Sequence, residues 1–385
     1  MNALIKDQHR HWKKKVREFA EQKVKPVISE FDRKGIFPTQ LIKELGNETK
    51  VFGMHLPKKY GGQGTDTLSY IIAVEELARI DSSVAATLAA HNSLGIGPIF
   101  NFGTDDQKEE WLPKLSSGES LWAMGLTETN AGSDAKSVET TAELKNKNWV
   151  INGNKMYITN AASTSSKGIT LAAKTGENNG KPEFSAILLP YPTKGFTRKI
   201  IEDKLVWRAA DNGELFFNNC VVPESYLLGN RGDGLKIILN TIDSGRLSIA
   251  AMGVGLAQGA FEMARTYALE RQQFGNSIAK LQAIQFKLAD MALKIENARN
   301  TLYNACWLKD QGKPYAKNSA MAKLYASEIA GEVVNEAVQI FAGSGLLESN
   351  PIARFYRDQR LLPIGEGTSE ILRLVIARDV LKSGN

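Results

Sequence analysis

The chain has 385 residues, a formal net charge of +6, and 43% hydrophobic and 23% charged side chains. Those figures suit a soluble globular protein with ample core, either one large domain or two to three smaller ones. They disfavour a nucleic-acid binder, because the charge is mild and spread along the chain. The one basic cluster, His9 to Lys15, falls on the solvent face of an expected first helix whose apolar face is Trp12, Val16, Phe19, Val24, Val27 and Phe31. Cys220 and Cys306 lack metal-ligand spacing, so no metal site and no disulfide framework is expected. No apolar run approaches the length of a membrane span, and no signal-peptide core opens the sequence. Asp7, Glu18 and Glu21 argue against a transit peptide, leaving the cytoplasm as the expected location.

Residues 1–121 read as a helical N-terminal domain. Apolar positions spaced near 3.6 run through the first helix, from Leu41 to Leu45 and from Leu68 to Ile80, with Gly61-Gly62-Gln63-Gly64 between them. Val84 to Leu94 is a helix of small residues, expected to end at Gly95, Gly97 and Pro98 and to leave room on one face. From 122 to 230 the period becomes that of strands. Trp149-Val150-Ile151 and Lys155 to Thr159 are expected to pair about an Asn152-Gly153 turn. Ile169–Ala173, Phe184–Leu189 and Leu215–Val222 supply further strands. Residues 231–385 read as a helical bundle over Leu235–Glu270, Leu281–Lys309, Tyr315–Phe341, Pro351–Gln359 and Thr368–Leu381. The expected class is therefore α+β and multi-domain. Gly253, Gly255 and Gly259 mimic a dinucleotide fingerprint, but no strand precedes them, so helix packing explains them better. His55 and His91 stand alone and read as structural.

Near the C-terminus, Ile364-Gly365-Glu366-Gly367-Thr368-Ser369-Glu370 sets one carboxylate between two glycines, just before a helix. Glycines clear side chains from around Glu366 and allow close approach of a substrate. Thr368 or Ser369 can cap the helix. Glu366 is then either a positioned base or a complement to the helix dipole.

Four further stretches bear on that choice. Met124-Gly125-Leu126-Thr127-Glu128-Thr129-Asn130-Ala131-Gly132-Ser133 offers hydroxyls and turn N–H groups. Tyr157 and Thr159 share one strand face. Arg271 and Phe274 stand at a helix end, and Gln339-Ile340-Phe341-Ala342-Gly343 closes another. With Glu366-Gly367-Thr368 these motifs, in this order over essentially the whole chain, resemble the acyl-CoA dehydrogenase family, and Lys280 to Asp290 is most similar to its short-chain and short-branched-chain branch.

The resemblance implies an N-terminal helical domain, a middle β-barrel or sandwich and a C-terminal four-helix bundle. It implies non-covalent FAD, with Met124, Leu126, Thr127 and Ser133 along the flavin ring and Tyr157 and Thr159 over its other side. Arg271, Phe274, Gln282, Gln339 and Gly343 would hold the rest of the cofactor across a subunit boundary, and Thr368 and Glu370 match further FAD contacts. Ser133, Asp243, Arg246 and Gly367 match acyl-CoA contacts, and Glu366 matches the base that takes the α-proton. Further implications are a homotetramer, built as a dimer of dimers, and electron-transfer flavoprotein as electron acceptor.

The sequence departs from the family at Gly365, where many relatives carry Tyr, and over Trp207-Arg208-Ala209-Ala210-Asp211-Asn212. Ala85 stands where the glutaryl-CoA branch has an Arg, which disfavours a dicarboxyl substrate. Gly365 and Gly245 either widen the acyl site for branched substrates or serve backbone geometry. Two other readings stay open, an oxidase using oxygen and a flavin-binding member without dehydrogenation.

Overall fold

The computed structural model describes residues 4–382. The N-terminal part holds α1 (Asp7–Phe19), α2 (Ile28–Lys34), α3 (Thr39–Thr49), α4 (Thr67–Ala78), α5 (Ser82–Ala89), α6 (Gly97–Phe102) and α7 (Asp105–Leu115). The middle part holds β1 (Leu121–Gly125), β2 (Thr141–Lys145), β3 (Asn148–Thr159), β4 (Ser166–Asn178), β5 (Lys181–Pro190), β6 (Phe196–Ile200), β7 (Asn212–Pro223) and β8 (Leu227–Leu228). Then come α8 (Gly234–Glu270), the two-residue strands β9 (Gln272–Gln273) and β10 (Asn276–Ser277), and the helices α9 (Gln282–Asp310), α10 (Ala316–Phe341), α11 (Pro351–Asp358) and α12 (Ser369–Lys382).

The spine is α8, which packs on α10 and α9 on one side and on α4 and α5 on the other. Its glycines are what permit that contact. A Cβ at Gly253 would stand 2.7 Å from the Ala326 carbonyl oxygen of α10, and one at Gly255 only 2.2 Å from that of Glu75 in α4. At Gly259 the Arg79 carbonyl oxygen would be 2.1 Å away. Helix packing, not a phosphate loop, thus explains these glycines. By length and a mean hydropathy of 1.3, α8 could cross a membrane, which qualifies the expectation that no run is long enough. Yet 78% of that window is buried among the protein's own helices.

Strands β1 to β8 form one sheet, in the order β6-β7-β3-β2-β4-β5-β8 with β1 beside β4, and β9 pairs with β10 alone. It forks at β4: β1 pairs in parallel with the first half, Leu121 to Gly125 against Ser166 to Leu171, and β2 takes over the same strand at Lys174. Trp149, Ile151, Ile169, Leu171, Leu189 and Phe217 fill the space this encloses.

The expected hairpin at Asn152-Gly153 is absent. Residues 148–159 are one strand, and the register against β7 slips between Ile151 and Gly153. Gly153, at φ +139°, serves a bulge where a Cβ would strike Thr140. The turn falls instead at Asn146-Lys147, both left-handed at φ 48° and 61°, the mirror-image geometry that joins tight antiparallel strands. Two N-terminal expectations also change. His9 lies off the solvent face, buried with its Nε2 2.9 Å from Asp66, and Val27 is exposed where the apolar face was expected. The helix through Val84 does not end at Gly95, because residues 90–96 continue as π-helix into α6. Pro98 sits at the junction where the π-helical segment passes into α6. Gly95 lets the chain pass the Trp122 carbonyl, which would lie 2.2 Å from a Cβ.

The three parts are tied by polar groups at their ends. Asn160 Nδ2 at the end of β3 donates to the Thr87 carbonyl of α5 at 2.9 Å. Asp358 of α11 accepts from Ser82 Oγ at 2.6 Å and from the Trp207 N–H at 2.8 Å. The Trp207 to Asn212 segment is thereby well defined, and Asp211 accepts from the Ala162 and Ser163 N–H groups at its far end.

Gly259→Ala should lower the melting temperature by several degrees, about 1–3 kcal/mol of overpacking against a backbone carbonyl that cannot swing away. Thermal unfolding checks this, and a melting temperature equal to the parent's would show that α8 and α4 separate freely.

Candidate active site

The Ile364-Gly365-Glu366-Gly367 turn arises because α11 stops, its exit closed by Ile364 and Gly365 N–H bonds to the Leu361 carbonyl at 2.8 and 2.9 Å. Thr368 then caps α12, its Oγ1 accepting from Ile371 N–H at 3.3 Å. Between them Glu366 and Gly367 are both left-handed, at φ 53° and 101°. A non-glycine residue there is uncommon and is held by its surroundings.

The Glu366 carboxylate does not turn to the helix end. Glu370, exposed in the first turn of α12, lies there, held below the usual carboxylate range by backbone and Thr368 hydrogen bonds. Instead Glu366 lies against α8. A Cβ at Gly245 would sit 1.9 Å from Glu366 Oε2 and 3.0 Å from Leu94 Cδ2 of the π-helical segment. Gly245 therefore makes room for the carboxylate itself, not for substrate. Glu366 keeps some surface as a residue, but Oε2 is closed to solvent and has no hydrogen-bond partner. Burial pushes its pKa up to about 7 against the pull of Lys323 and Arg246.

Around it, Arg246 Nη1 donates to Asp243 Oδ1 at 2.6 Å, while the buried Arg246 Nε has no partner. On the α4 side, Tyr70 shares a 2.9 Å hydrogen bond with Ser248 Oγ. Burial raises the Tyr70 pKa, and the charge of Glu366 adds to it. From α10, Lys323 Nζ donates to the Gly367 carbonyl at 2.7 Å. Gly365 is not left-handed, and a Cβ there would meet Leu361, whose side chain would lie 3.0 Å away and whose carbonyl oxygen 3.8 Å away. Backbone need thus explains neither Gly245 nor Gly365.

The hydroxyl-bearing stretch lies at the exits of β1 and β3. Met156 N–H donates to the Thr127 carbonyl at 2.9 Å, which sets Thr127 beside Tyr157 and Thr159. A buried ion pair anchors the segment: Lys155 Nζ lies 2.7 Å from Glu128 Oε1 and also donates to the Leu126 carbonyl at 3.1 Å. Tyr157 is 64% exposed and left-handed at φ 61°, so its ring stands out from the strand. The Thr127 hydroxyl has no hydrogen-bond partner among the described residues. Thr159 Oγ1 accepts from Asn212 Nδ2 at 2.9 Å, so its proton is free to be donated. Free hydroxyls beside an exposed aromatic fit the polar edge and face of a flavin. Met124 and Leu126 line this segment half-buried, and Ser133 is exposed beyond it.

Arg271, Phe274, Gln282, Gln339 and Gly343 gather elsewhere. The rings of Tyr267 and Phe341, in the last turns of α8 and α10, are 4.6 Å apart and bring the β9–β10 hairpin to residues 339–343. All five are exposed, Phe274 by 89%. Arg271 follows α8, about 39 Å along that helix from Gly245 at 1.5 Å per residue. One chain thus does not bring this cluster together with Glu366.

Lys323, Tyr70 and the accommodating role of Gly245 escaped sequence reasoning. A lysine alone in the run Ala320-Met321-Ala322-Lys323-Leu324 was the available signal for the first. Nothing local marked the other two.

Family models described as the acyl-CoA dehydrogenase N-terminal, middle and C-terminal domains match residues 6–119, 123–220 and 232–381. "Probable acyl-CoA dehydrogenase YngJ" of Bacillus subtilis is 44% identical over 99% of this chain and 100% of its own. The solved butyryl-CoA dehydrogenase of Megasphaera elsdenii superposes with a TM-score of 0.94 at 41% identity, covering 98% and 99% of the two chains. An acyl-CoA dehydrogenase of Bacillus anthracis solved with FAD does so at 0.91 and 32% identity, covering 98% of this chain and 67% of that one.

Gly245→Ala should push the Glu366 carboxylate aside by an ångström or more and slow proton abstraction by about a hundred-fold. Rapid-mixing measurement of substrate-driven flavin reduction reads this. An unaltered rate in a variant with full FAD content would show that Gly245 does not govern the carboxylate's place.

Proposed function

The chain belongs to the acyl-CoA dehydrogenase family, and on that premise we propose which residues carry its reaction and which substrates it takes. The protein is an FAD-dependent oxidoreductase that removes hydrogen from the α and β carbons of an acyl-CoA thioester. FAD, when bound, supplies the hydride acceptor. The residues of the chain do the rest.

Glu366 is the base. The single observation behind this reading is its carboxylate oxygen, closed to solvent, without a hydrogen-bond partner, and raised toward neutrality by burial. Such a group is ionised in enough molecules near pH 7 to take a proton, and basic enough to compete for a weakly acidic one. Its Oε2 takes the α-proton. The Glu366 N–H, unpaired among the described residues, donates to the thioester oxygen as negative charge develops there. Arg246 and Asp243 bind the CoA-bearing part of the substrate, and the unpartnered Arg246 Nε supports that assignment. Ser133 and the Gly367 backbone join them. An arriving acyl chain displaces water and strengthens the base further.

For the cofactor, Met124, Leu126, Thr127, Ser133, Tyr157 and Thr159 take the flavin end, and Thr368 and Glu370 make further contacts. Arg271, Phe274, Gln282, Gln339 and Gly343 take the remainder in a second subunit. Separation along α8 supports this, since Arg271 lies about 39 Å along that helix from Gly245, where Glu366 stands. Exposed Phe286 and Leu293, one heptad apart on α9, support an assembly that covers that face. The fuller reading is a homotetramer, a dimer of dimers, that passes electrons to an electron-transfer flavoprotein in the cytoplasm. Free, buried Cys220 and Cys306 are compatible with a reducing compartment.

A short acyl group is the substrate. The likeness to butyryl-CoA dehydrogenase supports this, as does Leu94, which lies beside the carboxylate at Gly245. Buried Ala85 offers no charge for a second carboxylate, so glutaryl-CoA is disfavoured. Gly365, beside the base, carries no side chain where many relatives carry Tyr, which supports tolerance of α-branching.

Anaerobic titration should show butyryl- and isobutyryl-CoA bleaching the flavin, with glutaryl-CoA inert. Glu366→Gln should keep FAD and acyl-CoA binding while losing about a hundred- to ten-thousand-fold in the rate of bleaching. Near-normal bleaching by that variant would move the base elsewhere.

A further inference from the structure

Lys323 is among the largest side chains in the protein with no solvent exposure, at 0%. It stands inside α10, in the run Ala320-Met321-Ala322-Lys323-Leu324, where an apolar residue would cost nothing. Burying an ammonium group is expensive unless it is well bonded. Its one hydrogen bond runs to the Gly367 carbonyl at 2.7 Å, in the turn that carries Glu366. Among the described residues no carboxylate lies within 4.0 Å of it. This is a charge placed beside the base and bonded to the carbonyl of the residue that follows it.

The bond has two physical consequences. Glu366 and Gly367 are both left-handed, and their shared turn leaves the Gly367 carbonyl to be satisfied from α10. Without that donor the carbonyl would lose its partner, and the strained pair would lose the contact that holds it. The second consequence is electrostatic. Of the charges that stabilise the ionised form of Glu366, Lys323 comes first and Arg246, from α8, second. In return Glu366 is the strongest of the groups sustaining the charge on Lys323, followed among carboxylates by Glu370 and Glu328, while Arg246 opposes it. Burial nevertheless brings the lysine down to about 8. On the α4 side the titratable neighbour is Tyr70, kept neutral by burial.

We propose that Lys323 is a positioning residue for the base: it fixes the left-handed turn through the Gly367 carbonyl and keeps the Glu366 carboxylate available as a proton acceptor when an acyl chain strips away water. The proposal rests on Glu366 being the base. Arg246 alone does not replace Lys323, since it is already bonded to Asp243 and is assigned to the substrate.

The test uses the FAD-loaded enzyme and follows anaerobic flavin reduction by butyryl-CoA as a function of pH. A base works when deprotonated, so raising its pKa moves the rising limb of the profile to higher pH. Lys323→Met removes the charge and the donor at nearly constant shape. It should shift the midpoint upward by about one unit or more and cut the rate near pH 7 by about ten-fold, with partial recovery at higher pH. Lys323→Gln retains a donor without charge. It should show the same shift with a higher plateau at alkaline pH. A uniform loss across the profile with an unmoved midpoint, or no change at all, overturns the proposal, because a merely structural lysine predicts no shift. Should the Met variant fail to hold FAD, nitrogen NMR of the lysine side chains in the unmodified holoenzyme gives the answer. Lys155, Lys204 and Lys323 should titrate near 8, below the ordinary lysine value, and one of the three should fall lower still in Glu366→Gln; if none of them responds to that substitution, the coupling is overturned. If Glu366→Gln itself reduces flavin at the parent rate, the assignment of the base has failed. If that variant is inactive while Lys323→Met keeps the parent midpoint, only the role of Lys323 has failed.

Discussion

Everything at this site depends on one close approach, that of the Glu366 carboxylate to the bare backbone of α8 at Gly245. A methyl group at that position would occupy the place of the carboxylate oxygen. Because the approach is so tight, water is kept from Oε2, and no protein donor takes its place. An ionised carboxylate in such surroundings is destabilised, and the proton is held more firmly. A left-handed residue before α12, a glycine on α8 and a π-helical segment that brings Leu94 alongside are all needed for this one contact. Each is locally unfavourable or unusual, and they converge on a single side chain.

The fold supplies the rigidity. Glycines on α8 press it against the carbonyls of α10 and α4, so that Gly245, Arg246 and Ser248 are presented from a helix that cannot easily shift. The β part joins at Asn160 and Trp207, both bonded to the helical parts. Thr127, Tyr157 and Thr159 therefore stand at a junction whose geometry is set from two sides. The second cluster, at the far ends of α8 and α10, is exposed and displaced by most of a helix length, which is intelligible if a neighbouring subunit completes it.

Much of this was legible in the residues themselves. The long helices and most strands followed from apolar period, and Glu366 was singled out by the glycines around it. Its alternatives could not be separated locally, because what decides between base and dipole complement is the position of Gly245, more than a hundred residues away. For the same reason neither alternative weighed for Gly245, a wider acyl site or backbone geometry, anticipated that it makes room for the carboxylate. Asn152-Gly153 carries a strong turn signal, yet the sheet used Gly153 for a bulge against Thr140 and turned at Asn146-Lys147, where strand pairing overrode dipeptide preference. Lys323 was hidden by its type, since a lysine in an apolar helix ordinarily extends to solvent. Arg271, Phe274, Gln282, Gln339 and Gly343 bear no local mark of a shared task and were joined only through resemblance to a family.

Burial against Gly245 should bring the Glu366 carboxyl to the edge of ionisation at neutral pH. Carbon-13 NMR of side-chain-labelled glutamate in the FAD-loaded protein, with Glu366→Gln used to assign the signal, measures this directly. The Glu366 carboxyl is expected to titrate at about 7. A Glu366 signal titrating near the ordinary value of 4.5 would contradict it.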